Sequence, residues 1–216
     1  MTIKAIDATA SGSETSTTLE IDAPDSVKEE IGEYLVEQIL AATAESTSPV
    51  AGYGKFPALS KLYKTKKQEA GRAGVPNLDF EGDMLSALDY ELTDEGLKIG
   101  VFGDQAPKAD GHNNLSGESM LPLRRFLPDA GESFKKEINS EIEAILAEKA
   151  VAEVVDDLDI EEIEEALETV ETREDFFTAL IDLTGVEEEY LLKGAVMANP
   201  SLLKVVTAMG LKKYLK

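Results

Sequence analysis

Apolar residues recur every fourth position from Val27 through Ile31 and Leu35 to Ile39, with Tyr34 and Ala42 beside them. This spacing predicts an amphipathic helix from Pro24 to about Ala42. Asp22, Pro24 and Asp25 stand where caps and first-turn residues belong. Residues 46–58, with two Gly and two Pro, read as a loop, and a short basic helix over about Leu59 to Glu69 ends before Gly71 and Gly74. A turn into Phe80 and a short helical piece around Met84 to Leu88 lead to two strands that meet near Asp94, Glu95 and Gly96. In the second strand Leu97, Ile99 and Val101 alternate with Lys98 and Gly100. Leu123 to Phe126, bounded by Pro122 and Pro128, predicts a third strand at a sheet edge or a strand end. Phe134, Ile138, Ile142, Ile145 and Leu146 then mark a second long helix to about Val155.

The two ends of the chain differ from this middle. Residues 1–23 are rich in Ser, Thr and Ala, with one strand-like patch at Thr17 to Ile21, and read as a mobile or partner-supported arm. Beyond Val155 the chain turns acidic without Lys or Arg over residues 156–171, while Ile160, Ile163, Leu167 and Val170 keep helical spacing. Gly185 and Gly194 punctuate further short helices, and Asn199 precedes Pro200 as a cap. There is no internal repeat and no sustained heptad. The expected organisation is a flexible N-terminal arm (1–23), a core domain (24–155) able to fold by itself, and an acidic helical appendage (156–216). The expected fold class is α+β: a small antiparallel sheet packed by two long amphipathic helices.

Composition narrows the function. The 216 residues, 43% hydrophobic, suffice for one domain or a core plus an appendage. A net charge of −22 argues against a general binder of nucleic acid or anionic membranes, which needs clustered Lys and Arg. The absence of Cys removes disulfides, thiol catalysis and thiolate metal sites. No apolar run reaches about 18 residues and the start lacks the centre of a signal peptide, so a soluble protein made in a cytoplasm is expected, with no membrane partner.

Candidate chemistry is sparse. His112 is the one histidine, and Asp104, Asp110 and Glu118 near it do not complete a zinc set. It reads as a loop residue whose ring nitrogens bond backbone groups. Asp156, Asp157, Asp159, Glu161 and Glu162 resemble a calcium loop in charge but lack the glycine of its sharp turn. Gly52 and Gly54, or Gly71 and Gly74, lack phosphate-loop spacing, and Ser116 and Ser119 lack a nucleophile elbow. No catalytic, cofactor or metal site is expected. Lys55, Lys61, Lys64, Lys66, Lys67 and Arg72 form one positive island, which meets an acidic partner, borders a phosphate backbone, or is a solvated helix face. Arg124 and Arg125, adjacent on the expected strand, point to opposite faces, one toward a carboxylate of its own fold and the other toward a neighbouring subunit.

The ordered segments SPVAGYGKFPALSKLYKTKK (48–67), PNLDFEGDML (76–85), KIGVFG (98–103), GHNNLSG (111–117) and LPLRRFLP (121–128) resemble tailed-bacteriophage virion-morphogenesis proteins. These are the tail-completion or neck proteins of head-tail joining. Leu78, Gly82 and Leu85 approximate the family's turn before the hairpin, His112 and Gly117 its loop, and Pro122, Arg124, Phe126 and Leu127 its strand. The resemblance spans roughly residues 24–150; the acidic segment and the long N-terminal arm lie outside it. It implies an α+β fold, no enzymatic activity, and a homo-oligomeric ring, hexameric or dodecameric, at the head-tail junction of the virion. DNA passes through such a ring without specific binding, and its neighbours are other neck, portal-adaptor or tail-terminator proteins. Lys61, Lys64, Lys66, Lys67, His112, Asn113, Asn114, Arg124 and Arg125 are the expected interface residues. The competing expectation is an acidic DNA mimic that inhibits a DNA-binding enzyme, the carboxylates of residues 153–175 standing in for phosphates.

Overall fold

The computed structural model describes residues 3–79, 82–156 and 158–215, so the turn expected into Phe80 and the role of Asp157 lie outside the described residues. The chain divides into two compact units, Met1–Glu143 and Ala144–Lys216. The first is built on a four-stranded antiparallel sheet of β1 (Ala5–Ala10), β2 (Glu14–Glu20), β3 (Leu88–Thr93) and β4 (Gly96–Phe102), in the order β1-β2-β4-β3. The fold is therefore mixed α and β with an antiparallel sheet, as the alternation of apolar and polar residues predicts.

The supposed N-terminal arm is the main correction. β2 pairs with β4 along its whole length, from Glu14 opposite Phe102 to Glu20 opposite Gly96, and β1 covers its other side. Thr15, Thr17 and Leu19 share a face with Val101, Ile99 and Leu97, their cross-strand partners, and all six are buried. A threonine is tolerated there because its hydroxyl finds a partner: Thr15 Oγ1 donates to Ala106 O at 2.7 Å and Thr17 Oγ1 to Pro128 O at 2.5 Å. At Gly96, where φ is +152°, an added Cβ would lie 2.1 Å from Leu19 O, so the turn into β4 can approach β2 only as glycine.

The helix α1 (Asp25–Ala44) forms where the periodicity places it and buries Val27, Ile31, Leu35 and Ile39 toward β3 and β4. Pro24 precedes it without a side-chain cap bond. Gly32 is the point of closest approach, since an added Cβ would sit 2.6 Å from the Tyr90 ring. The short helical piece expected around Met84 to Leu88 is α3 (Asp83–Ser86), whereas the third strand expected over Leu123–Phe126 does not form. Its backbone is bonded instead by α4 (Ala106–Asn113): Arg124 N–H donates to His112 O at 2.9 Å, and Phe126 and Leu127 N–H donate to Asn113 Oδ1 at 2.7 and 2.8 Å. These amides, already satisfied, are not available to a ladder.

The second unit is helical. The division between units falls inside the helix α5 (Lys136–Asp156) and not after Val155, because Val151 and Val155 belong to the second core with Phe176, Phe177, Leu192 and Val206. The helix α6 (Ile160–Leu167) buries Ile163 and Leu167 of its apolar stripe and leaves Ile160 exposed. It packs on α7 (Arg173–Thr184) and α9 (Pro200–Ala208), with α8 (Glu189–Ala198) between those two in sequence. Thr172 and Asp175 close a capping box on α7, and Asn199 Oδ1 accepts the Leu202 amide at 2.8 Å, the cap expected there.

Two measurements check this architecture. Deleting residues 1–23 removes the central strand, so the truncated chain loses the cooperative urea transition of its first unit; a retained transition would show that the sheet closes without β2. Gly32→Ala forces the Tyr90 ring off α1 and lowers unfolding free energy by about 1–3 kcal/mol in the same experiment.

Candidate functional site

The basic helix expected near residue 60 is α2 (Lys61–Glu69), started by Ser60, whose Oγ accepts the Tyr63 amide at 3.3 Å. Lys61, Leu62, Lys64 and Lys66 are exposed, with Leu62 at 83% the barest apolar residue of this helix. Lys67 on the opposite face is buried; its ammonium donates to Val75 O at 2.8 Å and to Asn77 Oδ1, and so pins α2 to the following loop. Burial pushes the Lys67 pKa down, Asp79 opposes that, and the Arg124 and Arg72 charges add to it.

His112 is not in a loop: it ends α4, which has Pro107 in its first turn and Asn114 in the left-handed conformation just past it. This puts Lys108 and His112 one turn apart on the same helix face. Arg124 Nη1 lies 3.4 Å from His112 Nδ1, and since a guanidinium only donates, that nitrogen carries the lone pair. Arg124 Nη2 reaches Pro57 O at 3.4 Å. Burial, then the Arg124 and Lys108 charges, push the His112 pKa from its ordinary 6.5 down to about 4. Lys67, Lys108, His112 and Arg124 thus converge with Tyr63 and Asp79 on a recess of about 30 Å³, where positive groups outnumber the single described carboxylate. Among the described residues, Arg124 Nε and Asp79 Oδ1 are buried without a hydrogen-bond partner. The recess joins α2, the 76–79 loop, α4 and the 123–127 segment by polar contacts.

The remaining expected interface residues separate. Asn113 is fully buried and internal: its Oδ1 accepts two amides and its Nδ2 donates to Leu127 O at 3.0 Å. Asn114 Oδ1 accepts the Ser119 amide at 2.8 Å. Arg125 stays within its own fold, 3.4 Å from Asp129 Oδ2 and 3.8 Å from Glu132 Oε2, with its guanidinium 5.5 Å from the centre of the Tyr53 ring. Arg124 meets His112 and Pro57 of its own chain. Lys108, Tyr63 and Asp79 were not singled out by sequence reasoning; the Pro107 and Asn114 signals of α4 would have placed Lys108 beside His112.

Two other apolar surfaces stand out. Met120, at 98%, and Leu121 project from the loop after α4, and in the second unit Met197, Leu203 and Leu215 line a groove of about 450 Å³ bordered by Lys212 and Lys213. Among the described residues, no group of three or more His, Asp or Glu is placed to hold a metal ion, and no helix is long and apolar enough to cross a membrane. No family model, curated protein or solved structure matches this chain.

Stability should register the neutral His112. The unfolded chain takes up a proton near pH 6.5 that the folded chain refuses until about pH 4, so the contribution is intact above pH 6.5 and is lost as pH falls through that window. Between about pH 7 and pH 5 wild type should lose about 1–2 kcal/mol more than His112→Asn in urea unfolding. Equal losses would place the imidazole in water. Asn113→Ala, which orphans two amides and a carbonyl, should cost about 2–4 kcal/mol in the same assay.

Proposed function

We propose that this chain is a non-enzymatic structural protein of a bacteriophage neck, assembling into a ring that joins head and tail or completes the tail. The observation that carries this reading is α2: a helix with Lys61, Lys64 and Lys66 around a bare Leu62, held rigidly by the buried Lys67, on a chain whose net charge is −22. Copies of so acidic a protein repel one another, and a fixed basic, apolar-tipped element is what an ordered contact between them needs. The order of segments that resembles virion-morphogenesis proteins supports the same assignment. The acidic exterior suits a ring that lets DNA pass without holding it.

The competing reading as a DNA mimic draws on α6, where Glu161, Glu162, Glu164, Glu165 and Glu168 are exposed while Ile163 and Leu167 face the core. One pair of experiments separates the two. Under the neck reading, purified protein sediments as a closed oligomer at moderate salt and mass spectrometry of intact virions finds the chain. A strict monomer that competes with duplex DNA for a basic enzyme would establish the mimic and overturn the ring.

A further inference from the structure

Between α1 and the outer edge of β3 runs a shallow groove of about 490 Å³. Val36, Leu40 and Tyr90 give it an apolar floor, and Glu33, Glu37 and Asp89 give it a carboxylate rim. Among the described residues β3 is an edge strand, Leu40 is 37% exposed, and the rim glutamates are exposed. Burial together with the charges of Glu33, Glu29 and Asp89 holds the Tyr90 pKa above its ordinary value, in keeping with a negative field over the groove.

We infer that this groove receives α2 of a second copy of the chain, Leu62 entering over Val36, Leu40 and Tyr90 while Lys66, one turn along the same face, and Lys61 beside it meet Glu33, Glu37 and Asp89. The inference rests on the ring reading and gives it a contact. Complementarity selects the occupant, since groove and helix match in both respects: apolar centre against apolar centre, and carboxylates against ammoniums. Another bare apolar projection, at Met120 and Leu121, has Glu118 beside it and no lysine, so it brings the wrong charge to this rim, and the Met197 surface with Lys212 and Lys213 is itself a groove. The α2 of the same copy is tied by Lys67 to Val75 and Asn77. Because the two patches consist of different residues, each pair joined this way still presents one free groove on one copy and one free α2 on the other. Such head-to-tail contacts continue until the rotation closes them.

The cysteine-free chain makes the test direct. The double variant Leu40→Cys with Leu62→Cys, mildly oxidised, should give a ladder of disulfide-linked multimers on denaturing gels. Equal amounts of the two single variants should stop at a linked dimer, and each single variant alone should stay unlinked. Pairing Leu40→Cys with Met120→Cys should give no ladder. In parallel, Glu33→Lys with Glu37→Lys should weaken association at least about tenfold in sedimentation, and adding Lys61→Glu with Lys66→Glu should recover it. Efficient linking by Leu40→Cys alone would mean that the groove meets its own copy and would overturn the head-to-tail contact. An oligomer of wild type with no ladder from the double variant would overturn the contact and leave the ring standing. Wild type that is monomeric at all concentrations would remove the ring and the contact together.

Discussion

Two threonine hydroxyls in the middle of the sheet hold the rest of the first unit to that sheet. Thr15 reaches the carbonyl that begins α4, and Thr17 reaches the carbonyl of Pro128 at the end of the extended 123–127 segment. Because β2 is an inner strand of the sheet, these bonds tie a helix and an irregular segment to the middle of the unit. Part of the candidate site hangs from those two: α4 supplies Lys108, His112 and Asn113, and the segment supplies Arg124 and the amides that Asn113 accepts, while Tyr63, Lys67 and Asp79 come from α2 and the loop after it. Each lost hydroxyl would remove a bond to a carbonyl and leave a gap in the buried face.

The limits of the sequence reading follow from the same chemistry. Helix α1, the hairpin of β3 and β4 and the apolar stripe of α6 were legible because apolar residues repeat there at the period of the element. β2, with the sequence ETSTTLE, was largely hidden, since two of its buried positions are threonines whose polarity is cancelled by carbonyls some ninety or more residues away. Such a partner leaves no local trace. The segment Leu123–Phe126 misled in the opposite direction: its apolar run suits a strand, yet one asparagine side chain takes up the amides that a ladder would need. The candidate site was legible in its residue types, as Lys67, His112 and Arg124 were all singled out, but not in its arrangement, because α4 is masked by Gly111 and two asparagines.

Electrostatics divides the positive groups into two classes with different work. Lys67, Arg124 and Arg125 have given up most of their water and act as internal fasteners, two of them through carbonyl oxygens and the third through Asp129 and Glu132. Lys61, Lys64 and Lys66 are exposed on the surface of α2. Burying a cation is costly unless it is well bonded; Lys67, bonded to Val75 and Asn77, serves to hold α2 rigid, and the two arginines fasten the 123–127 segment. The second class gains from that rigidity, since a fixed helix loses less freedom on docking than a loose one.

The central position of β2 also sets the order of events during synthesis. Residues 14–20 leave the ribosome first, yet their partner in the sheet is not complete until Phe102 has emerged. For that interval the strand waits, with only β1 to pair, at the stage when a Val-rich or Ile-rich segment is prone to stick to other chains. A strand of threonine and serine avoids that hazard, because it stays hydrated until the distant carbonyls arrive. The polarity that disguises β2 as a mobile arm is thus what keeps the nascent chain from aggregating before its sheet can close.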